Sequence, residues 1–319
     1  MAEIGVDIER AAYFLKKGDV IGMPTETVYG LAGNALDENA VLKIYEVKNR
    51  PKFDPIIAHT YSIDKVQEYV ESIPQKAADL AEAFWPGPMT LLLKRNSIIP
   101  DILTSGLPYV AVRIPKHDLT LELLKHVDFP LAAPSANPFG YISPTTAAHV
   151  SDQLGNKIPY ILEGGACSVG LESTIIGFDA NQNPVIHRLG GMKVEEIEKV
   201  VGKVKLKLNV SSNPLAPGML KTHYAPSKRL YIGQIPDLIS RYPHMKLGII
   251  SFKDTYPQVP IESQMVLSEK GDLGEAAKSL FGALRKMDQM EIDFILTQRF
   301  PEEGLGRAIN DRLKRAAYQ

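Results

Sequence analysis

Residues 22–59 constrain this chain more than any other stretch: GMPTETVYGLAGNALDENAVLKIYEVKNRPKFDPIIAH. A short apolar strand, Val20 to Met23, leads in and breaks at Pro24. A hydroxyl-rich turn follows, with Thr25, Thr27 and Tyr29 around Glu26, and then the permissive Gly30 and Gly33. Asp37 stands where it can cap a helix whose apolar positions Val41, Ile44, Tyr45 and Val47 recur at helical spacing. That helix has to stop near Lys48, Asn49 and Arg50, because Pro51 disfavours α geometry in the residue before it. Two cations therefore stand at a helix C-terminus, ahead of an extended run that ends in His59. They read in two ways. One is pairing with the negative end of the helix dipole. The other is a polyphosphate clamp, in which arginine offers a planar fork and lysine a point charge. Thr27 and the glycine-bearing turn would hold a small polar substrate beside such a clamp.

The chain has 319 residues, which suggests two domains and allows a sizeable core. A net charge of −1 implies no bulk pull toward nucleic acid or an anionic membrane, although a local basic patch stays open. The single Cys167 excludes an intrachain disulfide framework and a cysteine-rich zinc site. No apolar run approaches ~18 residues and the N-terminus lacks a signal-peptide layout, so a soluble cytoplasmic protein is expected.

In chain order, an amphipathic helix is predicted over 8–17 with Gly18 as its stop, then helices over roughly 63–72 and 75–84. Trp85-Pro86-Gly87-Pro88 turns the chain before a strand at 89–93. The strand at 109–114 carries Arg113 inside a β-branched run. That arginine is either a surface charge on an edge strand or points into a pocket to meet a carboxylate. The segment 130–140 reads as a short buried strand ending in a polar turn, with Ser135 and Asn137 leaving its carboxyl end, where open α/β sheets place ligands. Asn137 and Ser143, each before a proline, are equally good turn formers. Thr145 is expected to cap a helix to about 154, followed by strands at 160–163, 175–178 and 185–189 and a helix at 193–201. Residues 203–226 break the pattern and read as a linker, yet one decorated with Lys221, His223 and Tyr224 beyond what a passive tether needs. A smaller α/β pattern completes the chain, with strands near 229–233, 246–251 and 292–297 and helices near 235–241, 272–289 and 303–315.

The phosphate-loop, dinucleotide-fold and zinc-protease signatures are missing, as is the serine-hydrolase elbow. What remains is a dispersed polar set at element ends, with Lys48, Arg50, Arg113 and Arg188 its cations, which suits a triphosphate plus a carboxylate. The motifs PTETVYGL (24–31), KNRP (48–51), WPGPMT (85–90), APSANP (133–138), EST (172–174), RLG (188–190) and PGMLKTHYAP (217–226) follow one another in order and spacing. Together they closely resemble the YrdC-type threonylcarbamoyl-AMP synthases, in the long form with an added C-terminal domain. The match is dense over about residues 5–226 and one of layout beyond.

The resemblance implies a large twisted mixed-sheet domain (1–202), a structured linker (203–226) and a small Rossmann-like αβα domain (227–319). It implies that L-threonine, bicarbonate or CO₂, and ATP with Mg²⁺ give threonylcarbamoyl-AMP and pyrophosphate, for modification of the adenosine beside the anticodon in tRNA. A threonylcarbamoyl transferase is the implied partner; direct RNA contact stays open and no membrane is involved. Carried over by position, Thr27, His59, Arg113, the Ala133 backbone and Ser173 look like the threonine pocket. Lys48, Arg50, Asp54, Ser135, Asn137, Ser143, Arg188 and Tyr224 look like the ATP shell, with Lys48 and Arg50 as the catalytic cations and no dedicated metal cage. Asp54 departs from the family, which more often has Asn there, and a carboxylate repels triphosphate unless it reaches Mg²⁺ or a ribose hydroxyl. His59 has the ordinary imidazole pKa of a base, but a hydrogen bond to substrate is its expected role. The competing readings are a carbamoyl-adenylate-forming relative and a non-catalytic double-stranded RNA-binding module.

Overall fold

The computed structural model describes residues 1–208 and 224–317. Strands β1 (Glu3–Gly5), β2 (Ile21–Met23), β3 (Gly30–Asn34), β4 (Ile57–His59), β5 (Met89–Lys94), β6 (Tyr109–Arg113), β7 (Leu131–Ala132), β8 (Tyr160–Leu162), β9 (Thr174–Phe178), β10 (Pro184–Arg188) and β11 (Lys205–Leu206) form one mixed sheet. Its spatial order is β1-β8-β2-β3-β7-β4-β6-β5-β9-β10-β11. Helices α1 (Ile8–Lys16), α2 (Glu38–Lys48), α3 (Ile63–Tyr69), α4 (Gln75–Phe84), α5 (Asp101–Thr104), α6 (Asp118–Val127), α7 (Ala147–Leu154) and α8 (Val194–Val201) accompany it.

Of the two helix N-caps expected from the sequence, Asp37 holds and Thr145 does not. The Asp37 side chain accepts from the Asn39 amide at 2.9 Å, and Asn49 closes α2 in the left-handed conformation, which asparagine tolerates better than most residues. Thr146, not Thr145, caps α7: it accepts from the His149 amide, one residue later than the turn chemistry suggested. Residues 30–34 also differ from expectation. The segment is a strand, not a turn, and pairs antiparallel with β2 with Gly22 opposite Leu31. Its glycines serve close packing: a Cβ on Gly30 would stand 3.0 Å from the Ala133 Cβ, and one on Gly33 3.1 Å from Val20. Arg113 is not on an edge, because β6 runs between β4 and β5.

The second unit has strands β12 (Arg229–Ile232), β13 (Leu247–Ser251), β14 (Gln264–Val266) and β15 (Phe294–Thr297), all parallel in the order β12-β15-β13-β14. Strand β14 is additional to the three expected. Helix α9 (Ile235–Arg241) packs on one face with Leu247, Ile249 and Leu296, while α10 (Leu273–Gln289) and α11 (Gly306–Ala316) take the other with Leu230, Ile250 and Ile295. Alternation along each strand thus feeds two layers, giving an αβα sandwich. The Leu280, Leu284 and Met287 stripe of α10 is fully buried, and its cluster is continuous with that of the large sheet, so α10 and α11 lie between the two sheets. Of the expected linker, residues 209–223 lie outside the described residues.

Candidate active site

The hydroxyl turn after β2 is locked by its own side chains. Thr25 Oγ1 donates to the Val28 carbonyl at 2.6 Å and accepts from the amides of Thr27 and Val28, which fixes the turn around the buried Thr27. Arg113, at the carboxyl end of β6, reaches the same place. Its guanidinium donates to Thr27 Oγ1 at 2.9 Å and to the Gly87 carbonyl at 3.2 Å, and pairs with Glu26 at 2.7 Å. Both members of that pair are buried. His59 ends β4 and sits in register beside Arg113. Burial, reinforced by the Arg113 charge, pushes its imidazole down to about 3, so the ring is neutral at physiological pH. That corrects the expectation of an ordinary imidazole pKa there and leaves His59 to hydrogen bonding.

On the opposite side the C-terminus of α2 delivers Lys48 and Arg50 to different places. Lys48 is fully buried behind the pocket wall, and its ammonium donates to the carbonyls of Ser135 and Asn137. Desolvation and the neighbouring Arg50 push its pKa well down. Arg50 faces the cavity while donating to the carbonyls of Asp54 and Pro55 and pairing with the Asp54 carboxylate at 2.9 Å. The doubtful carboxylate is thus committed to a cation. Asn137 ties its own turn by donating to the carbonyls of Pro138 and Tyr141, and Ser143 donates to Glu172 at 2.6 Å.

Ser173 links two further elements: its hydroxyl meets Thr90 Oγ1 at 2.7 Å, and Arg188 donates to both its carbonyl and its hydroxyl. Burial lowers the Arg188 pKa to about 10, which leaves it protonated at neutral pH. Tyr224, in a left-handed conformation with φ of 66°, brings its ring over the same site, stacked on Phe281 at 5.5 Å and beside the Arg312 guanidinium at 5.0 Å. Desolvation raises its hydroxyl to about 12, so it stays neutral.

Thr27, Arg50, His59, Arg113, Ala133, Ser135, Ser173, Arg188 and Tyr224 therefore line one cavity of about 50 Å³. Lys48, Asp54, Asn137 and Ser143 stand behind its wall and shape it. The Ala133 amide is spent on the Ile57 carbonyl at 3.0 Å. Sequence reasoning missed the counter-anions Glu26 and Glu172 and the distant Arg312. A buried arginine on a strand asks for a carboxylate, and Glu26 in the PTET turn was a candidate in plain view. Arg312, 140 residues from its partner Glu172, gave no local signal. Chemically, three guanidinium groups around a small, partly apolar cavity suit anionic groups such as a phosphate or a carboxylate.

Residues 13–190 match the Sua5/YciO/YrdC family model, whose description reads "Telomere recombination". Residues 192–318 match the model described as "Threonylcarbamoyl-AMP synthase, C-terminal domain". The chain is 40% identical to a threonylcarbamoyl-AMP synthase of Pyrococcus abyssi, covering 97% of this chain and 94% of that one. It is 38% identical to the protein of that name in Bacillus subtilis, over 97% and 92%. Among solved structures, P. abyssi Sua5 complexed with L-threonine superposes with a TM-score of 0.90 at 39% identity, over 97% of this chain and 94% of that one.

Proposed function

The chain belongs to the Sua5/YciO/YrdC family of threonylcarbamoyl-AMP synthases, and from that premise we propose that it joins L-threonine, bicarbonate and ATP into threonylcarbamoyl-AMP and pyrophosphate. The observation that carries this reading is that Thr27, His59 and Arg113 line the same cavity as Arg50 and Arg188. The first group suits an amino acid: Arg113 takes the carboxylate, Thr27 and Ser173 the polar atoms, and neutral His59 a hydrogen bond. The second suits the phosphates, with Ser135 and Tyr224 at the nucleotide. On this assignment the carbamate formed from the threonine amine and CO₂ attacks the α-phosphorus in line, and pyrophosphate leaves. The amine's proton passes to bicarbonate or solvent, since His59 is too weak a base to take it. Arg50 and Arg188 offset the charge that builds on the leaving pyrophosphate, so catalysis rests on positioning and electrostatics.

Lys48 acts in this scheme by holding the Ser135 to Asn137 wall in place. Mg²⁺ would be held by the triphosphate and supply charge neutralisation there; Asp54, paired with Arg50, would offer it no ready ligand. The chain divides functionally at 1–202, 203–226 and 227–319, and the product passes to a threonylcarbamoyl transferase that modifies tRNA. Among the described residues no helix is long and apolar enough to cross a membrane.

The test is pyrophosphate release from ATP, with threonine and bicarbonate each supplied or withheld and serine as a control. Release that requires both and prefers threonine is expected. Release independent of threonine would instead favour a carbamoyl-adenylate-forming enzyme.

A further inference from the structure

We propose, resting on the nucleotide assignment above, that the small domain supplies a positioning residue to the ATP pocket: Arg312 fixes Glu172, and through it Ser143, from behind the pocket wall. Arg312 lies on α11 with its side chain fully buried. A guanidinium does not deprotonate, so burial obliges it to find acceptors. It donates to Glu172 Oε2 at 2.9 Å, to the Leu189 carbonyl at 2.8 Å and to Asp311 at 2.7 Å, and its fourth neighbour is the ring of Tyr224. Two of these partners, Glu172 and Tyr224, line the cavity.

Glu172 divides its oxygens between the domains: Oε2 takes Arg312, and Oε1 accepts from Ser143. Burial alone would raise its pKa, but Arg312 and Arg188, with the Ser143 hydrogen bond, outweigh that and hold it below the usual carboxylate range. Glu172 is therefore an anion on the wall that would face the triphosphate. Arg312 neutralises it and fixes the direction in which it holds the Ser143 hydroxyl. A second buried cation of the small domain, Arg285 on α10, donates to the backbone carbonyls of Ile142 and Ser143. The Ser143 carbonyl is thus held directly by Arg285 of α10, and its hydroxyl only indirectly, through Glu172, by Arg312 of α11. By contrast, Arg307 of α11 pairs with Glu195 at 2.7 Å across the same interface, in a half-exposed position away from the cavity. It serves as the internal control.

The experiment uses the full chain and measures KM for ATP and for threonine separately, with thermal unfolding of every variant. Arg312→Lys keeps a charge but loses the fork. It is expected to raise KM for ATP roughly tenfold, because Glu172 and Tyr224 are no longer held in place at the cavity, with KM for threonine within about twofold and a cooperative melt. Arg307→Ala is expected to match wild type. Since Arg312→Gln alone strands the Glu172 charge, the paired Glu172→Gln, Arg312→Gln variant is included: it should melt closer to wild type than Arg312→Gln while keeping the raised KM for ATP. A folded Arg312→Lys or paired variant with wild-type KM for ATP, or one in which both KM values rise together, overturns the proposal. Wild-type protein without threonine-dependent pyrophosphate release would instead remove the functional reading, and this inference with it.

Discussion

Arg113 and Arg50 show how one residue type serves two ends of a small pocket. Each is buried, each carries its own carboxylate, and each keeps part of its fork toward the cavity. The pre-pairing solves a problem of burial. An isolated guanidinium in this setting would cost several kcal/mol, whereas Glu26 and Asp54 hold the two forks in place before any ligand arrives. Removing either arginine outright would strand a buried carboxylate and cost about 3–5 kcal/mol in stability, so the informative exchange is to lysine. Arg113→Lys is expected to raise KM for threonine by about tenfold or more with a smaller effect on ATP, and Arg50→Lys the reverse, since a point charge cannot reproduce a planar fork. Steady-state titration of each substrate measures both, and the opposite order would exchange the two halves of the site. At this scale the sequence pointed to most of the residues that line the cavity, but not to which of two near neighbours does so. Lys48 and Arg50 are two positions apart at a helix end, yet the first turns inward to carbonyls and the second lines the pocket.

Among elements, the β2–β3 hairpin sets the floor of the site and does so through small residues. The Leu31 amide donates to the Pro134 carbonyl at 2.8 Å, and Gly30 bridges to Ser135, so the Thr27 turn and the Ala133–Ser135 wall are one backbone unit. Gly30→Ala places a methyl 3.0 Å from the Ala133 Cβ and should cost about 1–3 kcal/mol by overpacking, with weaker threonine binding because both walls shift. Urea unfolding beside a threonine titration measures the two effects, and an unchanged midpoint would mean the strands part without strain. The same hairpin explains where element reading fails. Residues 30–34 have the composition of a turn and become a strand only because β2 and β7 flank them. Helix α6 was unannounced for the converse reason: its leucines at 119, 121 and 123 alternate like a strand before the helical spacing shows. Where caps and period agree, as in α2 and α10, the expected helices are the observed ones within a residue or two.

For the whole molecule, α10 and α11 bury apolar faces against both sheets, and Tyr224 reaches the cavity from beyond the large domain. Truncation after Gly202 removes Tyr224, Arg285 and Arg312 together. It should raise KM for ATP, or release pyrophosphate without retaining the adenylate, while the large domain keeps much of its own core. Kinetics unchanged from the full chain would show that the small domain contributes nothing to the site. By itself the sequence determined the two-unit α/β plan, the Asp37 cap, most strand cores, and most of the polar set that lines the pocket. All of these follow from local periodicity, turn chemistry and the presence of particular side chains. Only the tertiary structure decided that Glu26, Asp54 and Glu172 are the counter-anions, that Lys48 bonds the carbonyls of Ser135 and Asn137, and that Arg312 of the last helix reaches Glu172 and Tyr224 at the cavity. Those are contacts between positions far apart in the chain, fixed by how sheets and helices pack, and no short-range pattern encodes them.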